Sequence, residues 1–283
     1  MREITLEELL EAGCHFGHQV TRSNPKARDF IFEARDNIHI IDLAKTKEGL
    51  EAAAAFIKAL AAKGGSLVVV GTKRQATNIV KEEVNRARSA SSGQADNIFY
   101  ITSRWIGGLL TNFSEVSKNF KKLHNLTVDL QDDEVKSKYT KKEIGIWAKE
   151  KEKLEGFYGG IANMTQKPDC LFIIDSHLED LAVREAVAMN VPIVAIVDTN
   201  ANPEVIDYPI PANDDAVGSI KLIVEYIIDS WIEGRKLAKD EAQKQTEETA
   251  KLENKKTATT ASNAADAEAQ KKPEAQKKNG SKK

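Results

Sequence analysis

Cysteine is scarce: the chain has only Cys14 and Cys170 in 283 residues. That argues against a disulfide-stapled fold and fits a reducing compartment, with both thiols read as small buried side chains. No apolar run approaches the roughly twenty residues that cross a bilayer, so no membrane span is expected. The opening stretch MREITLEELLEAG lacks a basic-then-apolar pattern, and its acids argue against a transit peptide, so export is not expected. Catalytic signatures are missing too. There is no G-x-S-x-G, no H-E-x-x-H and neither form of glycine-rich phosphate loop. Asp175-Ser176-His177 does not make a triad, because neighbours in sequence do not assemble one; Ser176 reads instead as a helix cap. The net charge is only −2, which excludes a uniformly basic surface and requires local patches if the partner is a nucleic acid.

Charge is abundant and strongly segregated. Between Asp169 and Glu233 stand thirteen acids against Arg184 and Lys221. Basic residues gather at Arg22–Arg28, Lys73–Arg88 and Lys118–Lys153. This reads as basic loops turned toward an anionic partner and an acidic half turned away from it.

Apolar patterning sets the fold class. Leu171–Ile174 and Ile193–Val197 are unalternating apolar runs, the mark of strands covered on both faces. Between them Leu178, Leu181, Ala182, Ala186 and Met189 recur at helical spacing, and Asn190 and Pro192 end the helix. A strand–helix–strand unit of this kind gives parallel strands. Upstream, Leu67–Val70 and Ile98–Ile101 read as further buried strands, alternating with helices at Lys45–Ala62 and Arg74–Arg88. Phe30–Phe32 and Ile38–Ile41 read as a hairpin arm and the first strand of the sheet, with turns at Asn24-Pro25 and Asp36-Asn37. Thr5 and Glu8 form a capping box. Asn112–Leu126 and Lys141–Phe157 are charged, sparsely apolar helices across a short acidic loop, hence an antiparallel helical hairpin; Gly156, Gly159 and Gly160 return it to the sheet. Asp214–Trp231 is the last helix. The expected organisation is an α/β body at 1–104 and 158–234, the hairpin at 105–157, and a disordered tail at 235–283 whose composition cannot offset its ordering entropy.

Four places could carry function. Gly71-Thr72-Lys73-Arg74 joins a strand to a helix start, where backbone N–H groups favour an anion; a loop of solvated basic residues is the alternative. Ser103–Phe113 (SRWIGGLLTNF) places a guanidinium, an indole and two glycines after a strand, suited to phosphate forks and stacking; a core Trp beside a flexible elbow is the alternative. Cys14-His15-x-x-His18 has metal-ligand residue types, which Asp198, Asp214 and Asp215 could complete; against this, Asp214 also fits an N-cap and His18 a packed or RNA-facing ring. Asp175 and Asp198 end parallel strands, where ligands of open α/β sheets bind.

In order along residues 5 to 232, LLEAGCHFGHQ, NPK, IHIIDLAKT, GTKRQA, RWIGGLLTNF, PDCLFIID, VPIVAIVDTN and IDYPIPANDDA resemble the bacterial ribosomal protein S-two family. The resemblance implies a flavodoxin-like three-layer α/β/α body with a parallel sheet, an inserted helical hairpin, and a cytoplasmic, ribosomal, non-enzymatic role in translation. It implies partners in small-subunit rRNA, neighbouring small-subunit proteins and ribosomal protein S-one, with no membrane and no homo-oligomer. It places rRNA contact at Arg22, Lys26, Lys73, Arg74, Arg104 and Asn112, with Lys118, Lys121 and Lys122 on the hairpin. The resemblance implies no cofactor; the divalent-metal candidate at His18, Asp198, Asp214 and Asp215 is read from the residue types and is compatible with it. The chain departs from the family at Ser23, where Trp is usual, and at Gly218, where Arg is usual; the tail after Gly234 matches nothing. The competing classes are a nucleotide- or phosphosugar-binding α/β enzyme using Gly71–Arg74 with Asp175 or Asp198, and a free RNA-binding regulator.

Overall fold

A computed structural model describes residues 2–90 and 97–240. The chain divides into two units, Met1–Lys236 and Leu237–Lys283. The tail expected at 241–283 lies outside the described residues, whereas residues 235–240 are helical and Arg235 is buried. The last helix therefore continues into the first residues of the segment that the sequence assigns to the tail.

Helix α1 (Leu6–Glu11) opens with the expected box, the Thr5 hydroxyl accepting from Glu8 N and the Glu8 carboxyl accepting from Thr5 N. Strands β1 (Phe16–Gln19), β2 (Ile31–Arg35) and β3 (Ile38–Ile41) then form a separate antiparallel sheet of order β1-β3-β2. Ile38–Ile41 is therefore no part of the parallel sheet, a correction to the expectation. The β2–β3 hairpin turns on Asp36 and Asn37 at φ +50° and +62°, the left-handed values that a two-residue hairpin loop requires and that Asn and Asp tolerate.

Helix α2 (Leu43–Ala62), capped by the Asp42 side chain, leads to β4 (Leu67–Val70); α3 (Arg74–Ala90) and β5 (Ile98–Ile101) follow. Helices α4 (Phe113–Asp129), the short α5 (Asp133–Ser137) and α6 (Lys141–Tyr158) make the inserted hairpin. Then come β6 (Cys170–Ile173), α7 (Asp180–Ala188), β7 (Ile193–Val197), β8 (Tyr208–Pro211) and a last helix, α8, over residues 217–240. The five strands β4 to β8 are all parallel, in the order β5-β4-β6-β7-β8. Counted within the sheet this is 2-1-3-4-5, the flavodoxin-like winding, whose direction reverses between β4 and β6.

Alternate strand residues feed two cores. Leu67, Val69, Phe172, Val194 and Ile196 pack with α2, α3 and α8. Val68, Val70, Leu171, Ile173, Ala195 and Val197 pack with α7, the loop after β5 and the base of α4. Helices on both faces make the three-layer α/β/α body. Each fully buried Leu, Ile or Phe contributes roughly 1.5–3 kcal/mol, so the sheet is a rigid frame. The sequence reading missed β8 because Pro209 and Pro211 spoil a strand pattern; it lies at the sheet edge, where proline is tolerated.

Candidate functional site

The winding reversal carries a charged cluster at the carboxyl ends of β4, β6 and β7. Lys73 follows β4, Asp175 follows β6, Asp198 follows β7, Asp214 and Asp215 precede α8, and His18 comes across from β1. The Lys73 ammonium lies 2.8 Å from Asp175 Oδ2, Asp214 Oδ1 and Asp215 Oδ1. Burial works against its charge, but the Asp214 charge and hydrogen bonds to all three acids outweigh burial and raise its pKa. His18 Nδ1 lies 3.1 Å from Asp198 Oδ2 and Nε2 lies 3.5 Å from Asp215 Oδ2. The hydrogen bond to Asp198 holds the His18 pKa up against burial, helped by the charges of Asp198, Asp214 and Asp215. Burial, with the charges of Asp175 and Asp198, pushes the Asp214 carboxyl up to about 7 against the pull of Lys73. Asp215, hydrogen-bonded by Lys73, is held below its ordinary range.

Local chain geometry assembles this cluster. Thr199 Oγ1 accepts from His18 N at 2.9 Å, and Asp198 Oδ1 accepts from Thr199 N at 2.5 Å. Position 17 must be glycine, because a Cβ there would lie 2.7 Å from Thr199 Cγ2. Asn213, not Asp214, accepts from the amides of Asp215 and Ala216 at the turn into α8. Likewise Asp175, not Ser176, accepts from the amides of His177 and Leu178 ahead of α7.

Ligand-capable atoms of His18, Asp198 and Asp214 lie within 4.8 Å of one another, and Asp214 Oδ2 is buried without a partner. An imidazole with two carboxylates, one carrying an unused lone pair, suits a divalent ion such as zinc or manganese. Asp215 stands apart from this set, its carboxyl engaged by Lys73 and His18. Cys14 is also apart, fully buried in the core on the α2 side.

The residues expected to meet RNA are differently placed. Lys73 faces inward onto the acids, so its charge is already matched inside the protein. Arg74 beside it is exposed at the start of α3. Arg22 and Lys26 are exposed on the segment between β1 and β2, which Asn24 N ties to Thr199 O at 2.7 Å; Lys26 pairs with Glu204. On the hairpin, Lys118 pairs with Glu115 and Lys122 with Glu150, while Lys121 is exposed. Such surface pairs are weak and readily exchanged for a phosphate. Lys121, His124, Asn125, Lys151 and Asn163 line a groove of about 740 Å³ between the hairpin and residues 159–165.

After β5, Trp105, Leu109 and Leu110 are buried while Arg104 and Asn112 are exposed. The Arg104 guanidinium lies 5.0 Å from the Phe157 ring centroid, within cation–π range. Glu185 of α7, buried at 7 % exposure, was not singled out in the sequence reading. One carboxyl oxygen accepts from Gly108 N at 2.7 Å and lies 3.4 Å from Trp105 Nε1; the other accepts from Leu110 N at 3.2 Å and from Thr111 N and Oγ1 at 3.4 and 3.3 Å. No local sequence pattern announces such a partner across 74 to 80 residues. The acids of residues 169–233 are thus not one outward face: Asp175, Glu179, Glu185, Asp198 and Asp214 are all buried.

At the departures, Ser23 Oγ donates to Val20 O at 3.0 Å. A Cβ on Gly218 would stand 2.9 Å from Ala12 O, so glycine there lets α8 approach the end of α1 closely.

Residues 9–234 match the family model described as Ribosomal protein S2. The chain is also similar to the Small ribosomal subunit protein uS2 of Lawsonia intracellularis (strain PHE/MN1-00), 46% identical over 248 residues, which cover 88% of this chain and 82% of that protein. With the family model spanning most of the chain and this relative agreeing over the same body, the chain belongs to the ribosomal protein S2 family.

Proposed function

We propose that the chain is a structural constituent of the small ribosomal subunit that binds small-subunit rRNA and catalyses no reaction. The observation that carries this reading is the Arg104–Asn112 loop: two exposed side chains able to hydrogen-bond phosphate flank a hydrogen-bonded segment that buries Trp105, Leu109 and Leu110. Arg22, Arg74 and Lys121 offer further exposed cations, and Lys118 and Lys122 can leave their surface pairs for phosphates. In this reading residues 105–157 are the RNA-facing arm, the rest of the body is its support, and the protein works on cytoplasmic ribosomes among its small-subunit neighbours.

The enzyme alternative fares worse on geometry. The winding reversal, where open α/β sheets receive their ligands, is filled by the Lys73 ammonium and its three carboxylates. His18, Asp198 and Asp214 would hold a divalent ion there as a structural clamp between β1, β7 and α8. The family's association with ribosomal protein S-one belongs to the same proposal. Leu178, Leu181 and Val187, all exposed on or beside α7, offer one apolar surface for it among the described residues.

The test is incorporation. Wild type and an Arg104→Ala/Lys121→Ala variant are expressed in cells and extracts are sedimented at low and at raised salt. The wild-type chain is expected to travel with small subunits and to leave them as salt rises, and the variant to leave at lower salt. Equal retention of the variant at every salt concentration overturns the reading, as does a wild-type chain that stays in the soluble pool.

A further inference from the structure

We infer that Glu185 is a positioning residue for RNA recognition: it holds residues 104–112 so that Arg104 is presented to phosphate. The inference rests on the RNA-binding reading above. Glu185 lies on α7, one of the helices covering the sheet, so its backbone is fixed by Ala182, Val183 and Ala186 buried beside it. Its two carboxyl oxygens gather donors from four residues of one loop, three of them backbone N–H groups. Those amides lie ahead of α4, in the stretch that would otherwise be the freest part of the elbow. Gly108 sits at φ +87°, which glycine adopts freely, but the same freedom makes the loop costly to order, and the carboxyl of Glu185 supplies the hold.

The other side of the loop is held as well. Ser103 Oγ donates to Gly156 O, and Arg104 lies over Phe157, both near the end of α6. Arg104 is thus spanned by two anchors, α7 through Glu185 and α6 through Phe157. Its rotamers are restricted before any partner arrives, which lowers the ordering cost of a phosphate contact. Glu185 touches no ligand in this scheme; it acts through Arg104.

A double-mutant cycle tests this. Arg104→Ala, Glu185→Gln and the double variant are titrated with small-subunit rRNA transcribed in vitro over a range of salt concentrations. Glutamine keeps the shape but aims amide hydrogens at loop donors. Arg104→Ala is expected to weaken binding about tenfold, as loss of a charge-assisted hydrogen bond does, and to lower the slope of log affinity against log salt by about 0.7–0.9. Glu185→Gln is expected to lower the slope by the same amount although it removes no cation, and the double variant to behave as Arg104→Ala alone. If Arg104→Ala lowers the slope while Glu185→Gln leaves it unchanged, or the losses add, Glu185 is structural only and the positioning role is overturned. If Arg104→Ala itself leaves the slope unchanged, the RNA reading of this loop fails first. Should the glutamine variant not fold, Glu185→Asp, which retracts the carboxyl by one methylene, is read against the same outcomes.

Discussion

Lys73 reaches three carboxylates at 2.8 Å from a largely buried position, so removing it leaves negative charge without a counterion. Lys73→Met is expected to cost about 3–5 kcal/mol, the penalty for breaking a buried ion pair from one side, measured by denaturant unfolding. Protonation works in the same place. The Asp214 carboxyl is pushed up to about 7 from 3.8, so between those values the folded chain keeps a proton that the unfolded chain has released. Stability therefore falls as pH rises through that window. His18 acts in the same direction, since its raised pKa makes the folded chain hold a proton above 6.5 that the unfolded chain loses. Asp215, held low, works the opposite way at more acidic pH. The thermal midpoint should drop as pH rises from about 4 to about 7, and Asp214→Asn should flatten that drop. Zinc at a hundred times its dissociation constant should return about 2.7 kcal/mol at neutral pH, an effect that His18→Ala should abolish in calorimetry. The sequence shows part of this cluster. His18, Asp198 and Asp214 have ligand residue types, and Asp175 and Asp198 end strands. What no sequence pattern shows is which way Lys73 turns, because strand register, and not local pattern, brings Asp214 to it. Glu185 is hidden for the same reason.

Elements were legible where periodicity is long and obscured where tertiary packing overrides it. The hairpin helices were read within three residues of their observed ends. For α7, the pattern of Leu178, Leu181, Ala182, Ala186 and Met189 holds in part: Ala182 and Ala186 are buried, with Val183 and Glu185, whereas Leu178 and Leu181 are exposed. Small side chains let α7 lie close to the sheet, so the buried stripe runs through the alanines and not the leucines. The glycines at the end of α6 divide in the same way. On Gly156 an added Cβ meets nothing within 4 Å, whereas on Gly160 it would stand 2.1 Å from Tyr100 O. Gly156→Ala should therefore stabilise by about 0.5–1 kcal/mol through helix propensity. Gly160→Ala should destabilise by about 1–3 kcal/mol, because overpacking moves the backbone where the hairpin rejoins β5. Chemical denaturation of both variants checks the pair, and equal effects would show that the return of the hairpin needs no close approach.

At the scale of the whole molecule the formal charge of −2 misstates what a partner meets. Five of the acids that make residues 169–233 look anionic point inward, where Lys73, His18, Thr72 and the loop after β5 face them. Arg22, Arg74, Arg104 and Lys121 remain outside. The inward-facing titrating groups and the exposed groups available to phosphate are thus different sets of residues. This separation makes a prediction that neither set makes alone. Between about pH 5.5 and 7 stability should change while rRNA affinity and its salt slope stay constant. Arg74→Ala should lower the slope, and Lys73→Met, titrated where it is still folded, should leave it unchanged despite removing the neighbouring cation. If affinity instead follows the titration of Asp214, or if Lys73→Met lowers the slope as far as Arg74→Ala does, then phosphate reaches the cluster at the winding reversal. The inward-facing charges would then belong to the RNA interface and not to the scaffold.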